Sequence, residues 1–112
     1  MPNVYDQAHK LARALRDSEE YRAYRATQEK VKDDESNRNL IKQYREKQME
    51  LHAKQLQGET LTDDDHQAIN RLREILELKS DVREFLQAEA RLFQMMSDIQ
   101  GILSDAVDLD FE

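Results

Sequence analysis

The chain has 112 residues, two glycines, one proline at position 2, no cysteine and a net charge of −7. That length suits one domain, and the missing cysteine excludes disulfides, thiolate metal sites and cysteine catalysis. No apolar run approaches the ~20 residues of a membrane span, and residues 1–6 lack the basic and apolar regions of a secretory signal, so a cytoplasmic protein without membrane insertion is expected.

Leu, Ile, Val and Phe make up about 22% of the chain, just above the ~20% below which chains tend to stay disordered. Ala, Glu, Lys, Leu and Arg approach the half that marks long-helix proteins. Burial contributes about 25 cal/mol per Å², against an ordering cost of about 1–2 kcal/mol per residue. A core this thin gains by being shared with a second copy.

The first helix is expected to start after Asn3, whose side chain can cap free amides, with Asp6 following and an apolar face of Val4, Ala8, Leu11, Ala12 and Leu15. Ser18 offers a second cap, with Glu19 and Glu20 in the first turn, where the helix dipole favours negative charge. Tyr21, Tyr24, Gln28 and Val31 then follow at helical spacing, and the short step from Leu15 to Ser18 marks a kink or tight turn. Asp34 or Ser36 caps the next helix, over about 36–57, whose stripe of Leu40, Ile41, Tyr44, Leu51 and Leu56 is interrupted at Lys47 and Gln48. Gly58 suits the left-handed position that ends many helices, and Thr62 followed by Asp63, Asp64 and Asp65 reads as a cap with an acidic first turn.

From Asp63 to about Val107 the pattern is helical throughout. Ile75, Leu78, Val82, Phe85, Glu89, Leu92, Met96, Ile99, Leu103 and Ala106 alternate in steps of three and four, and only Glu89 among them is polar. This is a coiled-coil-like seam. It crosses Lys79-Ser80-Asp81 in phase, which favours one bent helix over two. A second ridge of Ile69, Leu72, Leu76, Leu86, Ala90 and Phe93 widens the apolar face. Gly101 marks either close approach of another helix or a fraying end, and residues 108–112 read as a loose tail.

The expected architecture is all-α: a single domain over 1–112, an elongated antiparallel helical bundle whose long C-terminal helix forms an oligomer seam. The interface residues expected are Val82, Phe85, Glu89, Leu92, Phe93, Met96, Ile99 and Leu103. Phe93, Met95, Met96 and Ile99 form a soft patch that reads first as core and is the surface best suited to a different protein partner, because methionine repacks readily. Residues 1–56 sum to +2 and residues 57–112 to −9, with no basic residue after Arg91. That polarity disfavours a nucleic-acid groove in the C-terminal half; it reads first as a solvated acidic end that aids solubility, and it is also compatible with basic N-terminal helices lying against an acidic helix of the same or another chain.

Catalytic constellations are lacking. The two glycines are far apart, so no phosphate loop exists, and His9, His52 and His66 complete no metal motif. The cluster Asp63, Asp64, Asp65 and His66 lacks calcium-loop spacing and reads as helix capping. Glu89 is expected to be exposed at a crossing, to pair with a cation, or to fix register. Tyr21, Tyr24 and Tyr44 read as packing residues. An RNA-associated role for the basic N-terminal half, near Arg22, Arg25, Lys30 and Lys32, is the alternative. No cofactor, metal site or enzymatic activity is expected.

Leu11-Ala12-x-Ala14-Leu15-x-x-Ser18-x-Glu20-Tyr21 resembles the opening of the bacterial YlbF/YmcA family. Val82-x-x-Phe85-Leu86-x-Ala88-Glu89-x-x-Leu92 resembles that family's second characteristic stretch, at the expected separation. The type it is most similar to is the short YheA-like branch of Gram-positive bacteria. The resemblance implies a helical, self-associating, non-enzymatic cytoplasmic protein, linked through its relatives to competence, sporulation, biofilm formation and RNA processing by a membrane-bound ribonuclease. Some relatives hold iron–sulfur clusters through cysteines. This chain has none, so that property does not carry over.

Overall fold

Capping chemistry divides the chain into helices at nearly every point where the sequence offers a cap. The computed structural model describes residues 3–107. Among them lie five α-helices and no strand: α1 (Val4–Arg16), α2 (Glu19–Lys32), α3 (Glu35–Leu56), α4 (Asp63–Leu78) and α5 (Ser80–Ala106). The expected loose tail, 108–112, lies outside the described residues.

Asn3 caps α1, its Oδ1 accepting from the Tyr5 amide at 2.8 Å. Ser18 joins α1 to α2 by acting in both directions. Its hydroxyl donates to the Leu15 carbonyl at 2.6 Å and accepts from the Tyr21 amide at 3.2 Å. Asp34 caps α3 by accepting from the Asn37 amide. At the other end Gly58 takes φ 82°. There the Gly58 amide donates to the Gln55 carbonyl and the Glu59 amide to the Lys54 carbonyl, each at 3.0 Å. This is the paired closure of a Schellman motif. Thr62 and Asp65 then form a reciprocal capping box at the start of α4.

The helix expected from 63 to 107 is two helices. Lys79 stands between them in extended backbone, φ −103° and ψ 102°. Its amide closes α4 on the Leu76 carbonyl, and its own carbonyl accepts from the Arg83 amide to open α5. No glycine or proline forces the break. The Lys79 ammonium instead donates to Ser36 Oγ and Asn37 Oδ1, both at 3.2 Å, on the first turn of α3. The break divides the seam: Leu78 is 87% exposed, whereas Val82 is 0% exposed. In one continuous helix these two would share a face. In α4 it is the second ridge that is buried, through Ile69 and Leu76.

The chain separates into two compact units, residues 27–85 and residues 1–26 with 86–112, and α2 and α5 each contribute to both. In the unit of residues 27–85, α3 and α4 form an antiparallel hairpin. Its buried positions include Val31, Ile41, Leu51, Ile69, Leu76, Val82 and Phe85. Of the two positions expected to interrupt the α3 stripe, Gln48 is exposed and Lys47 is half-buried, its ammonium pairing with Glu50 at 3.0 Å.

The other unit has very little core. α1 has no buried residue, and Ala88 is the one buried apolar position among the described residues of this unit. Leu11, Leu15, Leu92, Met95 and Ile99 are half-buried. Tyr21 and Tyr24 stack at a centroid separation of 6.5 Å, a favourable offset aromatic geometry.

Candidate interaction surfaces

Two surfaces stand out, one in each unit. In the unit of residues 27–85, the end of α2, the middle of α3 and the start of α5 enclose an open groove of about 350 Å³. Its floor is apolar, made by Val31, Ile41 and Phe85, with Met49 beside them at 71% exposure. Its rim carries Lys32, Arg38, Lys42 and Arg45 against a single carboxylate, Glu46. Helical spacing explains the rim, since residues 38, 42 and 45 fall on one face of α3. The Arg38 guanidinium also donates to the Lys32 carbonyl, so α3 reaches back to the last residue of α2. Lys32 pairs with Glu29 at 3.2 Å, both side chains being largely exposed.

The second surface is the α5 face in the other unit. Of the expected interface residues, Val82 and Phe85 are buried in the unit of residues 27–85, and Glu89, Leu92 and Ile99 are half-buried. Phe93, Met96 and Leu103 are exposed, at 59%, 41% and 56%, and Ile102 and Val107 are exposed with them. Gly101 has nothing within 4 Å of where a Cβ would stand. In the same unit, α2 and α5 line an open cavity of about 610 Å³ whose charged lining is Glu19, Glu20, Asp98 and Arg91.

The acidic cluster at 63–66 is organised as a cap. Asp65 is 8% exposed and accepts from the Thr62 amide at 3.0 Å and from Lys54 Nζ at 3.0 and 3.2 Å. Together the Thr62 amide and the Lys54 ammonium hold its carboxyl below the usual carboxylate range. The hydrogen bond to Asp65 raises Lys54 above the ordinary lysine value. His9, His52 and His66 are all exposed. Among the described residues no three His, Asp or Glu side chains are grouped to hold a metal ion, and no helix is long and apolar enough to cross a membrane.

The family described as "Control of competence regulator ComK, YlbF/YmcA" matches residues 4–108. The chain belongs to the YlbF/YmcA family. Within it, the chain is similar to UPF0342 proteins. It is 41% identical over 107 residues to the UPF0342 protein STH1710 of Symbiobacterium thermophilum, covering 96% of each chain. It is 38% identical over 112 residues to a UPF0342 protein of Caldicellulosiruptor saccharolyticus, covering 100% of this chain and 93% of that one. A solved structure, a protein of unknown function (DUF964) from Bacillus stearothermophilus, superposes with a TM-score of 0.76 at 20% identity, over 92% of this chain and 90% of the other. That likeness supports the all-α fold of this YlbF/YmcA protein.

The basic-rimmed groove is not among the surfaces expected from the sequence. The signal was present in the spacing of Arg38, Lys42 and Arg45. The floor was not, because Val31, Ile41 and Phe85 come from three different helices.

Proposed function

We propose that this chain is a non-catalytic regulatory adaptor that works through self-association and contacts with other proteins, as a single helical domain in the cytoplasm. One observation carries the reading. The unit formed by residues 1–26 and 86–112 buries no large apolar residue among those described, while α5 exposes Phe93, Met96 and Leu103 along one face there. Scattered exposed apolar residues are ordinary, but a row on one helix in a unit with so little core favours a second surface. A second copy supplies one with the same apolar pattern, packed through Leu92, Phe93, Met96, Ile99 and Leu103, with Glu89 at the margin and Val82 and Phe85 anchoring the start of the helix. The regulatory part rests on the family's description as control of a competence regulator.

The test is the double substitution Phe93→Asp and Leu103→Asp, read by size-exclusion chromatography with light scattering. Both side chains are exposed within one chain, so helicity by circular dichroism should be retained while the oligomer dissociates. A folded double variant that keeps the wild-type oligomeric mass would overturn the α5 interface, and a monomeric wild-type protein would overturn self-association itself. Affinity capture from the native host after ribonuclease treatment, read by mass spectrometry, tests the adaptor reading. Specific protein partners that survive are expected, and their absence would restrict the function to self-assembly.

A further inference from the structure

The groove of the 27–85 unit joins two properties that a ligand must match together. Its floor of Val31, Ile41 and Phe85 needs apolar side chains to cover it, and exposed Met49 offers an adaptable edge. Its rim holds four cations and one carboxylate. A nucleic-acid backbone would satisfy the rim and leave the floor uncovered. An apolar helix would do the reverse.

One segment of this sequence has both properties. Residues 107–112 read Val-Asp-Leu-Asp-Phe-Glu, a strict alternation of apolar and acidic side chains. In an extended conformation a period of two puts Val107, Leu109 and Phe111 on one side and the three carboxylates on the other. Three carboxylates face four cations, and the long rim side chains can fold over a chain seated on the floor.

We propose that this groove receives the acidic segment 107–112 of a second copy of the chain. The assignment rests on the self-association reading, because α5 carries both the proposed association face and, at its C-terminal end, this segment. Association then delivers the segment along with the helix. The contact joins the basic half of one copy to the acidic half of another.

A charge-swap experiment tests it. One variant reverses the groove, Lys42→Glu with Arg45→Glu, and the other reverses the segment, Asp108→Lys with Asp110→Lys. Each full-length variant alone should self-associate about tenfold more weakly at low salt, the scale expected from losing two exposed ion pairs. Mixing the two should restore wild-type association, since each acidic groove then meets a basic segment and each basic groove an acidic one. Failure of the mixture to recover would overturn contact in trans, as would variants that associate like the wild type.

A labelled synthetic peptide of residues 105–112 gives an independent reading on the full chain by fluorescence anisotropy. It should bind at low salt, weaken with added salt, and lose affinity on the groove-reversed variant. Should the reversal reduce helicity, Lys42→Gln with Arg45→Gln serves in its place and should weaken binding in the same direction. No peptide binding, or displacement of the peptide by a single-stranded RNA oligonucleotide, would overturn the assignment. The Phe93→Asp, Leu103→Asp variant separates the two ideas. If it stays oligomeric, the α5 reading fails, whereas loss of its peptide binding with helicity retained counts against the groove.

Discussion

Lys54 Nζ, in the last turn of α3, donates to both carboxylate oxygens of Asp65, the residue whose other bonds close the capping box of α4. One ammonium thus ties the end of one helix to the start of the next across the Gly58 turn. The opposite end of the hairpin is tied by Lys79, which donates to Ser36 and Asn37. The α3–α4 hairpin therefore has a lysine clamp at each end.

The first clamp makes stability depend on pH in two windows. Asp65 is lowered in the fold, so its contribution is complete above the unfolded value of about 3.9 and is lost as pH falls through that value toward the folded one. Lys54 is raised, so its contribution is complete below about 10.4 and is lost as pH rises through its folded value. Asp65→Asn should lower Tm at neutral pH, with the gap to wild type closing under acid. Lys54→Met should show its gap closing under alkali. Thermal melts followed by circular dichroism across pH check both, and a gap that does not change with pH would remove the ionic account.

At the second clamp, Asn37 is 6% exposed and its Oδ1 accepts from Lys79. Removing the donor leaves a buried acceptor unsatisfied, at about 1–3 kcal/mol. Lys79→Met should therefore lower stability by that amount in urea. Amide exchange should quicken in the first turn of α3 and the last of α4, with the Lys54–Asp65 end slower to respond. Uniform quickening along both helices would show that the clamp has no local role.

The break at Lys79 predicts opposite outcomes for two neighbouring leucines. Leu76 is 3% exposed and Leu78 is 87% exposed. Leu76→Ala should cost about 2–5 kcal/mol, whereas Leu78→Ala should fall within about 0.5 kcal/mol. Chemical denaturation of the two variants decides. Comparable losses would mean that α4 continues into α5 with a different face buried.

The two glycines separate in the same way. Gly58 at φ 82° holds a conformation that an L side chain adopts at about 1–2 kcal/mol, so Gly58→Ala should destabilise by that amount despite open space around it. Gly101 is helical, has no neighbour within 4 Å, and lies off the stripe of Phe93, Met96 and Leu103. Gly101→Ala should stabilise by about 1 kcal/mol. Light scattering should show unchanged association. Weakened association would move the proposed interface toward the Gly101 side of α5.

Much of this fold was legible because its signals are local. Asn3, Ser18, Asp34, Gly58 and Thr62 each act on residues within a turn or so, and each does what its type and spacing imply. The family, too, could be read from two short stretches, one in α1–α2 and one in α5. The α3 stripe was harder. Gln48 is exposed, as its polarity implies, whereas Lys47 is half-buried, since a lysine stem can lie along apolar surface while its charge stays in water. The groove was harder still, since its floor draws on Val31, Ile41 and Phe85, which are distant in sequence.

Local spacing alone accounts for the all-α class, the caps, the glycine stop and the apolar face of α5, because helix geometry couples residues only three or four positions apart. Tertiary structure decided that the long C-terminal pattern is two helices, with Leu76 inside and Leu78 outside. The physical reason is long-range packing: the break leaves both Leu76 and Val82 buried and lets Lys79 reach Asn37, 42 residues away. An in-phase heptad carries no information about a partner so far away, and the extended backbone at Lys79 is held from outside the helix it ends.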